Sequence, residues 1–118
     1  MSDVLNPVEV EQAIRAAVGE VARGVDEYTR VLSALREAER KFDVAEATAY
    51  MHATGPVQER KYRAVLDCQA ERETLDVAEV AFKYVDKRLR AAESKLSAYQ
   101  TLSKSVMAMY GAAGRAEY

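Results

Sequence analysis

The sequence has no tryptophan, one cysteine, one histidine, two prolines and five glycines in 118 residues. The lone Cys68 excludes a disulfide within the chain and fits a reducing compartment. With His52 as the only imidazole, a multi-histidine metal centre or a His-based catalytic constellation has little to build on. No uncharged apolar run approaches the ~18 residues that span a bilayer, so no membrane role is expected. The stretch MSDVLNPVEVEQ has no basic segment followed by an apolar core, so no secretory signal is expected and the reading is cytoplasmic. Also missing are a Gly-rich phosphate loop, C-x-x-C, H-E-x-x-H and G-x-S-x-G. The expectation is therefore a protein that is not an enzyme and uses no cofactor or metal.

What is present is helix-forming. Hydrophobic residues make up 49% and charged residues 31%, at a net charge of −2, the profile of long or coiled helices in a single domain. Asn6, Pro7 and Glu9 suit an N-cap, a first helical position and a capping box. From there Ile14, Val18, Val21, Val25, Tyr28, Leu32, Leu35, Phe42 and Ala49 recur at three and four, with Glu39 and Glu46 interrupting. A second seam runs Ala64, Cys68, Leu75, Ala78, Phe82, Val85, Leu89, Ala92, Leu96, Tyr99, Val106 and Tyr110, with Glu71 and Ser103 as polar members.

Between the seams lies Thr54-Gly55-Pro56. Gly55 can close a helix in a left-handed conformation and Pro56 can restart one, and a turn this short makes the two helices antiparallel. Residues that face each other should then sum to about 110, and seven successive layers from Leu35–Leu75 to Ile14–Leu96 come out apolar on both sides. The fold class expected is all-α: a long antiparallel helical hairpin of coiled-coil type. Its first helix covers about 7–53, the turn 54–56, the second helix about 57–110, and a frayed tail 111–118. Glu39 should face Glu71, with Arg36, Arg40 and Arg72 near enough to compensate.

One seam stabilises a two-helix chain poorly, yet the second helix carries more apolar residues than that seam uses. Val77, Ala81, Tyr84, Ala91 and Leu102 are candidate interface residues of a second stripe, broken by Arg88 and Lys95, so a homo-oligomeric bundle or ring is expected. Charge is uneven as well. Residues 83–104 hold six cations (Lys83, Lys87, Arg88, Arg90, Lys95, Lys104) against Asp86 and Glu93, a balance of +4. Ser94, Ser97, Thr101, Ser103 and Ser105 share that segment with Tyr84 and Tyr99. Cations and hydroxyls hold phosphates, and an exposed tyrosine can stack a base. Arg60, Lys61 and Arg63 with Tyr62 form a second basic cluster after the turn, read as lying near Arg40 and Lys41 across the hairpin. The plain alternative is a solvated helix face laced with ion pairs.

The order of a long first helix, the tip YMHATGPVQERKYRAVLDCQAERE and the segment LDVAEVAFKYVDKRLRAAESKLSAYQTLSKSVMAMY resembles the small helical accessory proteins of tailed-phage replication and recombination modules. More distantly it is similar to the UvsY-type recombination mediators over roughly residues 28–110. The resemblance implies a homo-oligomer in the host cytoplasm that binds single-stranded DNA and assists a RecA-type recombinase in displacing single-strand-binding protein. It points to Arg60, Lys61, Arg63, Lys83, Lys87, Arg88, Lys95 and Lys104 as the DNA-contacting candidates. The acidic net charge departs from that picture. The other reading is a non-enzymatic coiled-coil assembly, scaffold or chaperone protein that binds proteins. A secreted helical hairpin is disfavoured, because that type marks its turn with Trp-x-Gly and there is no Trp here.

Overall fold

A computed structural model describes residues 6–116 of the chain, with side-chain surroundings through residue 112. Those residues are helical apart from the turn and two single positions: α1 spans Pro7–His52, α2 Val57–Asp67 and α3 Gln69–Ala116. The start of α1 follows its sequence signature. Asn6 Oδ1 accepts the Glu9 backbone N–H at 2.8 Å, and Asn6 Nδ2 donates back to Glu9 Oε1 at 3.3 Å. The end of α1 is closed by Ala53, whose N–H reaches the Ala49 carbonyl at 3.0 Å.

Gly55 then turns the chain at φ +105°, a conformation disfavoured for residues with a Cβ. Pro56 has the φ of a helix (−59°) but an extended ψ of 154°, so it precedes α2 as N-cap rather than opening it. The second helical stretch was expected unbroken over 57–110. It is instead interrupted at Cys68 (φ −107°, ψ 20°), although the Cys68 N–H still bonds to the Ala64 carbonyl and the Arg72 N–H to the Cys68 carbonyl. Ala64, Cys68 and Leu75 all stay buried at spacings of four and seven, so the seam keeps its phase past the break. At the other end α3 continues to Ala116 rather than fraying from 111, while residues 117 and 118 lie outside the described residues.

The chain divides into two packing units. Unit 2, residues 27–86, holds the hairpin tip, and unit 1 joins residues 1–26 to 87–118. In unit 2 the expected pair Leu35 and Leu75 meets: with Ala38 they form a buried cluster, with Phe42, Ala78 and Phe82 packed against it, while Val31 is buried where Leu32 was expected. The Tyr28 and Phe82 rings lie 5.2 Å apart at 55°, a tilted arrangement that contributes about 0.5–1.5 kcal/mol beyond area burial. Above Phe42 the Arg72 guanidinium sits 5.5 Å from the ring centroid.

In unit 1 the seam differs from the expected one. Val18 and Val25 are 50% and 47% exposed, whereas Val10 and Ala17 are buried and Leu89 lies over Gly24. Along α1 the inward positions are Val10, Ile14, Ala17, Val21, Gly24, Tyr28, Val31, Leu35, Ala38, Phe42, Ala45 and Ala49, an unbroken alternation of four and three. The expected stripe had drifted by one residue at every second layer, choosing larger valines over Ala17 and Gly24. Small residues there let the helices approach: a Cβ on Gly24 would stand 2.9 Å from Leu89 Cδ1. Neither Gly19 nor Gly24 interrupts α1.

The same shift moves Glu39 and Glu46 off the seam to its flank, with Ala38 and Ala45 in their places. Glu39 takes a hydrogen bond from Arg36 at 2.9 Å and shares a groove with Arg40, Phe42 and Leu75. Glu71 lies beside Arg40, Lys41 and Val44 in another. Arg40 borders both grooves, and Glu39 is bound within its own helix by Arg36. The seam of α2 and α3 follows the expected positions, except that Tyr110 is exposed.

Candidate nucleic-acid interface

A 3.5-residue repeat fixes which side chains of α3 look away from α1. With Leu89, Ala92, Leu96, Tyr99, Ser103 and Val106 turned inward, the opposite side carries Lys87, Arg90, Ser94, Ser97, Thr101 and Lys104. All six are exposed. The row consists of cations and hydroxyls alone, and from Lys87 to Lys104 it runs about 26 Å at 1.5 Å per residue. Thr101 Oγ1 donates to the Ser97 carbonyl at 3.2 Å, which leaves its oxygen able to accept.

The other candidates are placed differently. Lys83 is exposed one turn before the row. Arg88 and Lys95 flank the seam, and Lys95 Nζ binds Glu20 Oε1 of α1 at 3.3 Å. Tyr99 and Ser103 are half-buried on the seam, so Tyr99 offers no free ring face, whereas Tyr84 is exposed. Of the interface candidates, Val77, Tyr84 and Ala91 are exposed, and Ala81 and Leu102 are half-buried beside the seam.

The cluster after the turn is not one basic patch. Arg60 stacks its guanidinium 5.0 Å from the Tyr50 ring centroid, with Nε buried and lacking a hydrogen-bond partner among the described residues. It is a packing residue of the tip. Lys61 lines a groove with Asp43, Glu46, Tyr50 and Val65, and Arg63 is exposed. Lys41 pairs with Glu37 at 3.1 Å, and Arg40 and Lys41 border Glu71 rather than Lys61.

Charge also partitions between the units. Residues 1–26 and 87–118 hold eight Lys and Arg against seven Asp and Glu, whereas residues 27–86 hold nine against twelve. The sums, +1 and −3, give the net −2 of the whole chain. The acidic excess therefore lies in the unit that does not carry the cation–hydroxyl row.

His52, which ends α1, is exposed, with Nδ1 2.8 Å from the Thr48 carbonyl. Cys68 is buried on the seam; burial pushes its thiol pKa up, and Glu71, Glu46 and Asp67 push it further the same way. That environment suits a core residue better than a nucleophile. Among the described residues no group of three or more His, Cys, Asp or Glu could hold a metal ion, and no helix is long and apolar enough to cross a membrane. Comparison of the chain with known protein families, curated proteins and solved structures finds no match.

Single residue types announced the individual cations. The row itself was missed, because its members come from two heptad columns that separate only once the seam of α3 is fixed. The signal was the spacing 87, 90, 94, 97, 101, 104.

Proposed function

We propose that this chain binds single-stranded DNA, as a homo-oligomeric accessory protein of a phage-type recombination system. The observation that carries the reading is the outward row on α3, in which Lys87, Arg90 and Lys104 alternate with Ser94, Ser97 and Thr101 and no carboxylate intrudes. Ammonium and guanidinium groups attract phosphates, hydroxyls bond to them, and neither reads sequence. The mechanism is electrostatic: rows repeated over several copies hold an extended strand. Its presentation to a RecA-type recombinase, as single-strand-binding protein leaves, is supported by the resemblance in helix order and basic segments. Cytoplasmic location in a host cell belongs to the same reading.

The test is fluorescence anisotropy of a labelled oligothymidylate at low and rising salt. With three row cations engaged per copy, log Kobs should fall against log salt with a slope of about −2 per copy. Lys87→Glu with Lys104→Glu should weaken binding more than tenfold while leaving helix content unchanged. Arg63→Glu, remote in sequence from the row, should have a much smaller effect. No anisotropy change at low salt would end the proposal.

A second reading, a coiled-coil assembly or scaffold protein that ignores nucleic acid, is favoured by the exposure of Val77 and Tyr84. It is distinguished by assembly that responds to Tyr84→Asp together with silence toward the oligonucleotide.

A further inference from the structure

A groove runs along one side of the hairpin tip, between α1 and the stretch from α2 into α3, wholly within unit 2. It consists of two adjoining hollows of about 550 and 680 Å³ that share Glu46 and Val65. Each has the volume of a binding site, about 300–1,000 Å³. The α1 edge carries Asp43, Glu46 and Tyr50 at spacings of three and four. The other edge runs from Lys61 through Val65 and Gln69 to Glu73 and Asp76, about 22 Å or four helical turns. The lining between them is apolar: Ala47, Ala64 and Ala70, with the half-buried rings of Phe42 and Tyr50. Val65, 58% exposed, stands in the middle.

Charge in this groove is left unbalanced. Within unit 2, every acid of α1 before Asp43 is paired along its own helix: Glu27 with Arg30, Glu37 with Lys41 and Glu39 with Arg36. The pattern then stops. Asp43, Glu46 and Glu73 make no ion pair or hydrogen bond among the described residues. Arg72 is already engaged, with Asp76 at 3.5 Å and over the Phe42 ring. Three unpaired carboxylates against the ammonium of Lys61 leave the lining at −2.

We propose that this groove docks a basic amphipathic helix of a partner protein, with an apolar stripe set between two rows of Lys or Arg. Charge complementarity carries the choice of occupant. Carboxylates on both edges repel nucleic acid and acidic segments. A second copy laid groove to groove would set the same carboxylates against their duplicates. A cationic side chain can reach either edge while its methylene stem covers the apolar lining. The hollow between two antiparallel helices also has the shape to take a third, whose residues at i, i+3, i+4 and i+7 fill it. The site is independent of the nucleic-acid reading, whose row lies in unit 1.

The test is fluorescence anisotropy of a labelled synthetic helix of about four turns, with Leu and Ala on one stripe and Lys on both flanks, titrated with the full chain. It should bind at low salt and weaken as salt rises. A control helix with every Lys replaced by Glu should not bind. Glu46→Lys with Glu73→Lys should lower affinity at least tenfold with helix content retained by circular dichroism. Asp67→Lys with Glu93→Lys, the same change of net charge outside the groove, should lower it far less. Val65→Asn, which alters no charge, should weaken binding several-fold. No binding of the Lys helix, equal losses in the two charge-reversed chains, or indifference to Val65→Asn would each overturn the proposal. A change in the chain's own mass by light scattering in Glu46→Lys with Glu73→Lys would make the occupant a second copy and overturn the partner assignment. Oligothymidylate anisotropy on that same variant keeps the two readings apart: strand binding should persist there while helix binding is lost.

Discussion

Replacing each of two glycines of α1 by alanine should give opposite results, although both sit in the same helix five residues apart. In an exposed helix interior the change gains about 1 kcal/mol, because glycine loses more backbone freedom on folding. At Gly19 the new Cβ would meet Arg23 Nη1 at 3.3 Å, the far end of an exposed, flexible side chain that can move aside. Gly19→Ala should therefore stabilise the chain by most of that amount. At Gly24 the new Cβ would stand 2.9 Å from Leu89 Cδ1, with Leu89 Cβ and Cγ at 3.7 and 3.8 Å. Carbon atoms pack best at about 3.5–4.0 Å, so the Leu89 methyl must retreat by roughly 0.6–1 Å from a seam position. Overpacking of that kind costs about 1–3 kcal/mol, which cancels or outweighs the helix gain. The two variants should differ by about 1–3 kcal/mol in urea unfolding followed by circular dichroism at constant m. In a Leu89→Ala background Gly24→Ala should become stabilising, a coupling visible in the double-mutant cycle. If both alanines stabilise equally, the seam does not pass through Gly24, and the stripe through Val18 and Val25 is restored.

Two further substitutions and reactivities follow from the tip and the break. Gly55→Ala should lower stability by about 1–3 kcal/mol, since φ is +105° there and the added Cβ would lie 3.0 Å from Glu59 Oε2; an unchanged urea midpoint would refute this account of the turn. Cys68 should react with Ellman's reagent far more slowly than a free thiol and reach the free rate only on unfolding. Because the folded chain holds that thiol proton more tightly than the unfolded chain, stability should fall as pH rises above the unfolded thiol pKa, an effect absent in Cys68→Ala. Rapid labelling under native conditions would contradict the burial.

Whether a seam could be read from sequence depended on the size of its residues. On α3 the inward positions Leu75, Phe82, Leu89 and Leu96 are the largest apolar groups in their neighbourhood, so counting by three and four finds them. On α1 four of the alternate inward positions are small, Ala17, Gly24, Ala38 and Ala45, and Ala17 and Gly24 stand next to Val18 and Val25. A reading weighted by hydrophobicity chooses the valine each time, yet close approach of two helices selects the smaller neighbour. The apparent interruptions at Glu39 and Glu46 are the same offset phase carried on by sevens from Val18 and Val25, and Ala38 and Ala45 keep the spacing without a carboxylate. Arg60 shows the complementary limit. Its charge is plain in the sequence, but its stacking on Tyr50 depends on how the chain returns from the turn, which local spacing does not encode.

The acidic net charge looked like the strongest objection to a nucleic-acid role, and it weakens once charge is placed on the folded chain. Counter-ion release depends on the phosphates neutralised at the contact, not on the sum over the molecule. At physiological salt exposed charges farther apart than about 8 Å are largely screened from each other. Five of the twelve acids of unit 2 stand between Tyr62 and Tyr84, beside its exposed apolar residues, and the row from Lys87 to Lys104 holds none. Carboxylates near an exposed apolar face limit unspecific association at that surface, while an acid-free row keeps its attraction for a polyanion. A chain with its charges redistributed at the same net −2, for instance Ser94→Glu with Asp76→Ser, should therefore lose strand binding although its pI is unaltered, and binding that tracked net charge alone would refute the role of the row.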